Sequence, residues 1–335
     1  MAATFVIITH SAALLGRGEG DALAQLTGGA LQFNHLGVAI FFTISGFLIT
    51  QSALVSKSAK GYLARRFLRI IPGLLIALLL SAFVLGPIVT TMSCKEYFSD
   101  KATYLHLLSV SLYKLFLNLP GVFSNNPTSK AVNGSLWTLA YEFSLYFAVL
   151  FISLAGLIKQ KKLLLGVVLL AFVFRIYLWH RYFVYNYSTP FLLGLNIMYL
   201  TEWSFYFGAG LLFFLFKERI VFDVKILIVL VVIYAAAILL NIDFARIINY
   251  ILIPYSVFYF SFLKSRLNRF GEYGDFSYGM YIYAFPVQQT IVHYTHASIS
   301  TGMMIILSVL STFPLAVLSW HLIEKRALRL KRFFE

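Results

Sequence analysis

The sequence predicts an all-α fold: one polytopic bundle of about ten membrane-crossing helices spanning residues 1–335 as a single domain. Three observations predict it. The 335 residues are 60% hydrophobic and only 12% charged, whereas a soluble domain carries roughly 25% charged residues. Mean hydropathy is +0.82. Apolar runs recur from end to end, each close to the ~20 residues that cross a hydrocarbon core of ~30 Å.

The spans are expected at 1–15, 36–54, 69–91, 136–157, 163–180, 199–216, 225–240, 246–263, 277–295 and 302–323. The first, MAATFVIITHSAALL, is short and lacks the basic leader of a signal peptide. Either it is partly embedded or the first helix is truncated, with the true start upstream of Met1. The second holds Phe41-Phe42-Thr43-Ile44-Ser45-Gly46, whose small residues suit close helix packing. Basic residues precede the third. The apolar stretch 103–118 is short and contains His106 and Lys114, so it reads as interfacial or re-entrant. Arg175 lies inside the fifth span, and Pro286 is expected to kink the ninth. No internal repeat, low-complexity tract or linker interrupts the series.

Charge sets the orientation. With both termini cytoplasmic, the inner loops carry 19 of the 27 Lys and Arg and the outer loops 7. The inner set includes Lys264, Arg266 and Arg269. This is the positive-inside pattern, and it absorbs the net charge of +14 without nucleic acid as a partner. The implied partner is the lipid bilayer. Cys94 is the one cysteine and forms no intramolecular disulfide. The seven histidines show no ligand spacing, so no metal is expected.

Ionisable groups inside a membrane cost ~2.5–3.5 kcal/mol each on insertion scales, so they mark candidate sites. His10 sits in an apolar helix, where an imidazole serves either as a general base or as a hydrogen bond to a neighbouring helix. Ser135, Thr138, Glu142 and Tyr146 form one polar stripe within ~40° on the fourth span. The stripe faces a cavity or another helix, and its carboxylate favours the cavity. Counting residues from the span ends puts His10 and Glu142 at similar depth, roughly 7–10 Å below the outer surface, so they could form a base and its orienting partner. Arg66 and Arg69, one turn apart, share a helix face suited to a phosphate or diphosphate, although alone they read first as a topology anchor. In the ninth span, Tyr281 and Gln288 lie seven apart, hence on one face, among several tyrosines that suggest a wet cavity.

Taken together, AATFVIITHS, GVAIFFTISGFLIT, RRFLRIIP, NGSLWTLAYEFSLYF, DFSYGMYIYAFPVQQ and SWHLIEKRALRLK resemble the acyltransferase 3 family of bacterial integral membrane O-acyltransferases acting on surface glycans. The resemblance runs from residue 1 to about 330. It implies that His10 is the first-helix histidine required for transfer and that Arg66 and Arg69 handle the acyl donor. It makes Glu142 the acid of the S-L-W-x-L-x-x-E signature, beside Trp137 and Tyr146, and Ser277 and Tyr278 the late S-Y element. The family's arginine eleven positions before the histidine would fall two residues before Met1. Ala284 stands where many members have a histidine, and Arg326 where a proline is usual.

The resemblance therefore implies a multi-pass enzyme of the bacterial inner membrane. It would move an acyl group, acetyl in the first instance, from acyl-CoA as co-substrate to a hydroxyl of a cell-surface carbohydrate or its lipid-linked precursor, with no bound cofactor. His10 and Glu142 would be catalytic, Arg66 and Arg69 donor-binding, and Trp137, Tyr146, Ser277, Tyr278, Tyr281 and Gln288 would line the substrate cavity. The alternative is a transporter or flippase of a glycolipid or small molecule, since buried Glu, His and Arg also suit proton-coupled transport.

Overall fold

In the computed structural model, which describes all residues except 19, 129, 185–188, 241, 264–269 and 335, the chain is helical nearly throughout. Ten helices of 13 residues or more stand among the described residues, and each overlaps one expected span. They are α1 (Ala2–Leu14), α2 (Phe33–Val55), α3 (Ala59–Leu80), α4 (Trp137–Leu154), α5 (Lys161–Leu178), α6 (Ile197–Leu215), α7 (Val224–Leu240), α8 (Ile242–Phe262), α9 (Ser277–Thr295) and α10 (Thr301–Ser319). A two-residue antiparallel pair, Phe191–Leu192 with Leu195–Asn196, precedes α6.

Among the described residues, five stretches are long and apolar enough to cross a membrane: Phe33–Val55, Ala59–Val89, Gly134–Leu154, Lys161–Tyr182 and Thr301–Phe333. Helices α1 and α7 are apolar but shorter. Helices α6, α8 and α9 have 19, 21 and 19 residues, and polar residues such as Glu202, Asp243 and Gln288 dilute their apolar character. Apolar side chains such as Leu170 and Val173 on α5, and Val229 and Val232 on α7, are exposed, as lipid contact requires.

The third expected span begins late. The α3 helix starts at Ala59 because Ser58 caps it, accepting from the Gly61 amide at 3.0 Å. Arg65, Arg66 and Arg69 therefore lie on the helix and not in a loop before it. The described residues of 94–133 contain no long helix. Short turns there, Cys94–Ser99, Lys101–Leu105 and His106–Ser111, enclose a small core around Tyr97 and Phe123. The α9 helix runs continuously through Pro286. Lys264, Arg266 and Arg269 lie outside the described residues.

Helix α2 is central and packs against α1, α4, α6 and α8. Its crossing with α6 needs two glycines: a Cβ on Gly46 would stand 1.9 Å from the Phe207 carbonyl oxygen, and one on Gly210 1.9 Å from that of Thr43. This is the small-residue packing expected of the glycine in the second span. Helix α1 crosses only the first third of α2, with the Ala2 carbonyl against Gly37 and Phe5 packed on Phe33.

Candidate functional site

The polar stripe of α4 is real and buried. Ser135, Thr138, Glu142 and Tyr146 are each no more than 6% exposed. Thr138 meets the Tyr281 hydroxyl at 2.5 Å, and Tyr281 donates to the Ser135 carbonyl at 2.7 Å. Lower on the helix the Tyr146 hydroxyl donates to Glu142, and Ser45 of α2 donates to that hydroxyl at 3.5 Å. Tyr62 of α3 donates to the Tyr146 carbonyl at 2.9 Å. The Arg66 guanidinium lies over the rings of Tyr62 and Tyr146, 5.8 and 5.7 Å from their centroids, and donates to Ser52 at 3.2 Å.

Arg69 sits one turn on, among different partners. It pairs with Asp275 at 2.5 Å and with buried Glu324 at 3.5 Å, and its guanidinium lies over the rings of Tyr278 and Trp320. Asp275 also accepts from the Ser277 hydroxyl at 2.5 Å, while Tyr278 donates to the Ile70 carbonyl at 2.7 Å. The late S-Y pair is thus brought to the arginine pair, which sequence spacing could not show. A small cavity of about 40 Å³ between α1, α2, α4 and α9 is lined by Thr138, Ser277, Tyr278 and Tyr281.

His10 and Glu142 are not brought together. The imidazole packs edge-on against Phe285 at 5.2 Å, and Phe285 also packs on Gly134. That contact sets His10 level with the turn before α4, roughly 12 Å along the axis from Glu142. The equal-depth estimate assumed a first helix running parallel to the others through the full bilayer, whereas α1 is short and crosses α2 near one end. Gln288 also falls elsewhere than expected. Fully buried between α1 and α9, its amide donates to the Ile7 carbonyl and to Ser11, both at 2.9 Å. It does not line that small cavity, and it ties α1 down on both sides of His10.

A direct histidine–carboxylate contact lies in the first turn of α2, at the end that α1 crosses and opposite the arginine pair. His35 Nε2 is 2.8 Å from Glu202 of α6. Glu202 also faces Arg175 at 3.5 Å and accepts from the Tyr250 hydroxyl at 3.3 Å, and Arg175 in turn donates to that hydroxyl at 3.1 Å. These four side chains edge a cavity of about 430 Å³ between the 29–32 segment, α5, α6 and α8. Trp137 is half-buried beside it, 4.9 Å from Tyr199 of the cavity wall. The signal was present in the sequence: Arg175 and Glu202 are opposite charges inside consecutive apolar spans, and such groups normally pair.

Comparison with known proteins places this geometry in a family context. The acyltransferase domain of the acyltransferase 3 family matches residues 1–321. An O-acetyl transferase of Shigella phage Sf6 is 33% identical over 341 residues, covering 98% of this chain and 93% of that protein. Nodulation protein 10 of Rhizobium leguminosarum bv. viciae is 32% identical over 123 residues, 36% of this chain and 33% of that protein. No solved structure matches.

Proposed function

Because the chain belongs to the acyltransferase 3 family, we propose that this membrane O-acyltransferase moves an acetyl group from acetyl-CoA to a hydroxyl of a cell-surface carbohydrate or its lipid-linked precursor in the bacterial inner membrane. The observation that carries the proposal is the near full-length likeness to an O-acetyl transferase. Two features of the bundle support it. Arg66 and Arg69 stand three residues apart on α3, hence on neighbouring positions of one face, and guanidiniums suit the phosphates of CoA. Polar groups buried among apolar helices continue from that face along α4, a path the acyl chain could follow.

In the reaction, the acceptor hydroxyl oxygen attacks the thioester carbonyl. A base takes the hydroxyl proton, the C–S bond breaks, and the proton leaves with the CoA thiol. His10 is the proposed base. Its ring makes no hydrogen bond with another described residue, so both nitrogens remain available to substrate. Glu142 is a positioning residue: it holds Tyr146 and the Arg66 side of the site, and it does not orient His10.

The test is transfer of labelled acetyl from acetyl-CoA to glycan in membranes holding the parent chain or His10→Ala at matched expression. Label moved by the parent and lost in the variant supports the proposal. Transfer that survives His10→Ala in correctly inserted protein removes His10 from the chemistry. Absence of transfer by the parent, with donor and acceptor supplied, overturns the acetyl-CoA reading.

A further inference from the structure

At the end of α2 opposite the arginine pair lies the cavity of about 430 Å³, within the size range of small-molecule sites. Residues 35 and 52 of α2, which mark the cavity and the arginine pair, are roughly 25 Å apart along the helix axis. Neither His10 nor Glu142 lines this cavity, and the reading above gives it no role. Thr9, beside His10, nevertheless accepts from the Asn34 amide, beside His35, at 2.9 Å, which brings the proposed base and the cavity to the same end of α2.

Building on that O-acetyltransferase reading, we propose that this cavity seats the acceptor, and that its wall selects an uncharged sugar ring. Three features of the wall carry the proposal. The first is its aromatic character. Tyr199, 45% exposed, presents a ring to the space, and Tyr206 and Tyr250 stack on each other behind it at 5.1 Å. The apolar C–H faces of a pyranose lie well on such rings, while its hydroxyl edge needs polar partners. The second is unused hydrogen-bonding capacity. The Tyr206 hydroxyl and His35 Nδ1 are buried without a hydrogen-bond partner among the described residues, and both residues line the cavity. A polar ligand is the usual complement of such groups.

The third is charge matching. Each guanidinium in the wall faces a carboxylate. Arg175 faces Glu202 at 3.5 Å, His35 faces the same carboxylate at 2.8 Å, and Arg246 pairs with Asp243 at 2.9 Å. Both guanidiniums also lie against Trp179, 5.4 and 5.2 Å from its centroid. A uronate or sialate carboxyl would enter beside Glu202 and Asp243 and would compete with them for guanidiniums that are already paired. The cavity also adjoins α4, on the face turned away from the polar stripe. Trp137 touches Tyr199, and the Tyr141 hydroxyl accepts from the Asn196 amide at 3.0 Å.

The experiment measures acetyl transfer in membranes against both substrates, with the parent, Tyr199→Ala and Thr189→Trp. Thr189 lines the cavity, so the indole fills it. Thermal stabilisation of each purified variant by CoA reports folding and the donor side. Expected are a tenfold or greater rise in acceptor KM for Tyr199→Ala and loss of transfer for Thr189→Trp, with donor KM and CoA stabilisation unchanged. The acetylated residue, released from the labelled glycan and weighed by mass spectrometry, should be a neutral sugar. Parent-like acceptor KM in both variants, a matching fall in CoA stabilisation, or a uronic or sialic acid as the labelled residue overturns the proposal while leaving the O-acetyltransferase reading intact. Failure of the parent itself to transfer label defeats that reading instead.

Discussion

The two ends of α2 hold the same kinds of residue in different settings. At the α3 end, Arg69 is 23% exposed and shares Asp275, Glu324 and two aromatic rings, while Arg66 rests on tyrosine faces. At the α6 end, Arg175 and Glu202 are nearly enclosed, and their charges are met by His35 and Tyr250. The first arrangement leaves cationic surface that water or an anionic ligand can reach. The second has its charge satisfied internally and offers neutral polarity to whatever enters. Burial, more than residue type, separates a site for phosphates from a site for a neutral polyol.

One element underlies both. The crossing of α2 and α6 fixes Ser45 and Ser52 toward Glu142 and Arg66, and His35 toward Glu202. At Gly46 any side chain meets the Phe207 backbone, which has no flexible end to move aside. Gly46→Leu should therefore have the largest effect, on the order of 3 kcal/mol or more, since overpacking against backbone exceeds the usual core penalty. Thermal unfolding in detergent should show a large loss, with CoA stabilisation and acceptor-side activity falling together. A variant that keeps one function and loses the other would show that the ends are positioned independently.

The next largest effect separates the ends. Glu202→Leu leaves Arg175 buried without its carboxylate, and breaking such a pair costs ~3–5 kcal/mol. Replacing both, Arg175→Met with Glu202→Leu, removes the stranded charge, and the double variant should be more stable than Glu202→Leu alone. Additive losses in the double variant would mean that the two charges do not depend on each other, and the contrast between a satisfied and an open site would fail.

Legibility follows the same physics. All ten helices are visible in the sequence because each is a local run of apolar residues, and the α4 stripe is visible because 3.6-residue periodicity is local too. Gly46 is readable as a packing residue for the same reason. The pairing of helices is not local. Residues 35 and 202 are joined only by the fold, and His35 lies just ahead of the expected start of its span, where a polar residue attracts little notice. The misplacement of His10 beside Glu142 has the same origin, since counting residues gives depth only for helices that share an axis direction, and α1 does not run the length of its neighbours. Arg175 and Glu202 were recoverable, because the cost of intramembrane charge that singles out Glu142 applies equally to them.

The smallest expected effect sharpens the comparison from the exposed side. Asp275 is 51% exposed at its side chain, and Arg69 retains Glu324 and two ring contacts without it. An ion pair this open to solvent contributes ~1 kcal/mol or less, and salt weakens it further. Asp275→Asn keeps an oxygen for the Ser277 hydroxyl and amide, so the start of α9 should remain ordered. The loss in unfolding temperature should be slight, and smaller again in high salt. Removing a carboxylate beside Arg69 should also strengthen stabilisation by CoA, because the guanidinium then competes for phosphate without an internal rival. A loss as large as that of Glu202→Leu would place Arg69 in an internally satisfied network, and the α3 end could no longer serve as the open, phosphate-facing site.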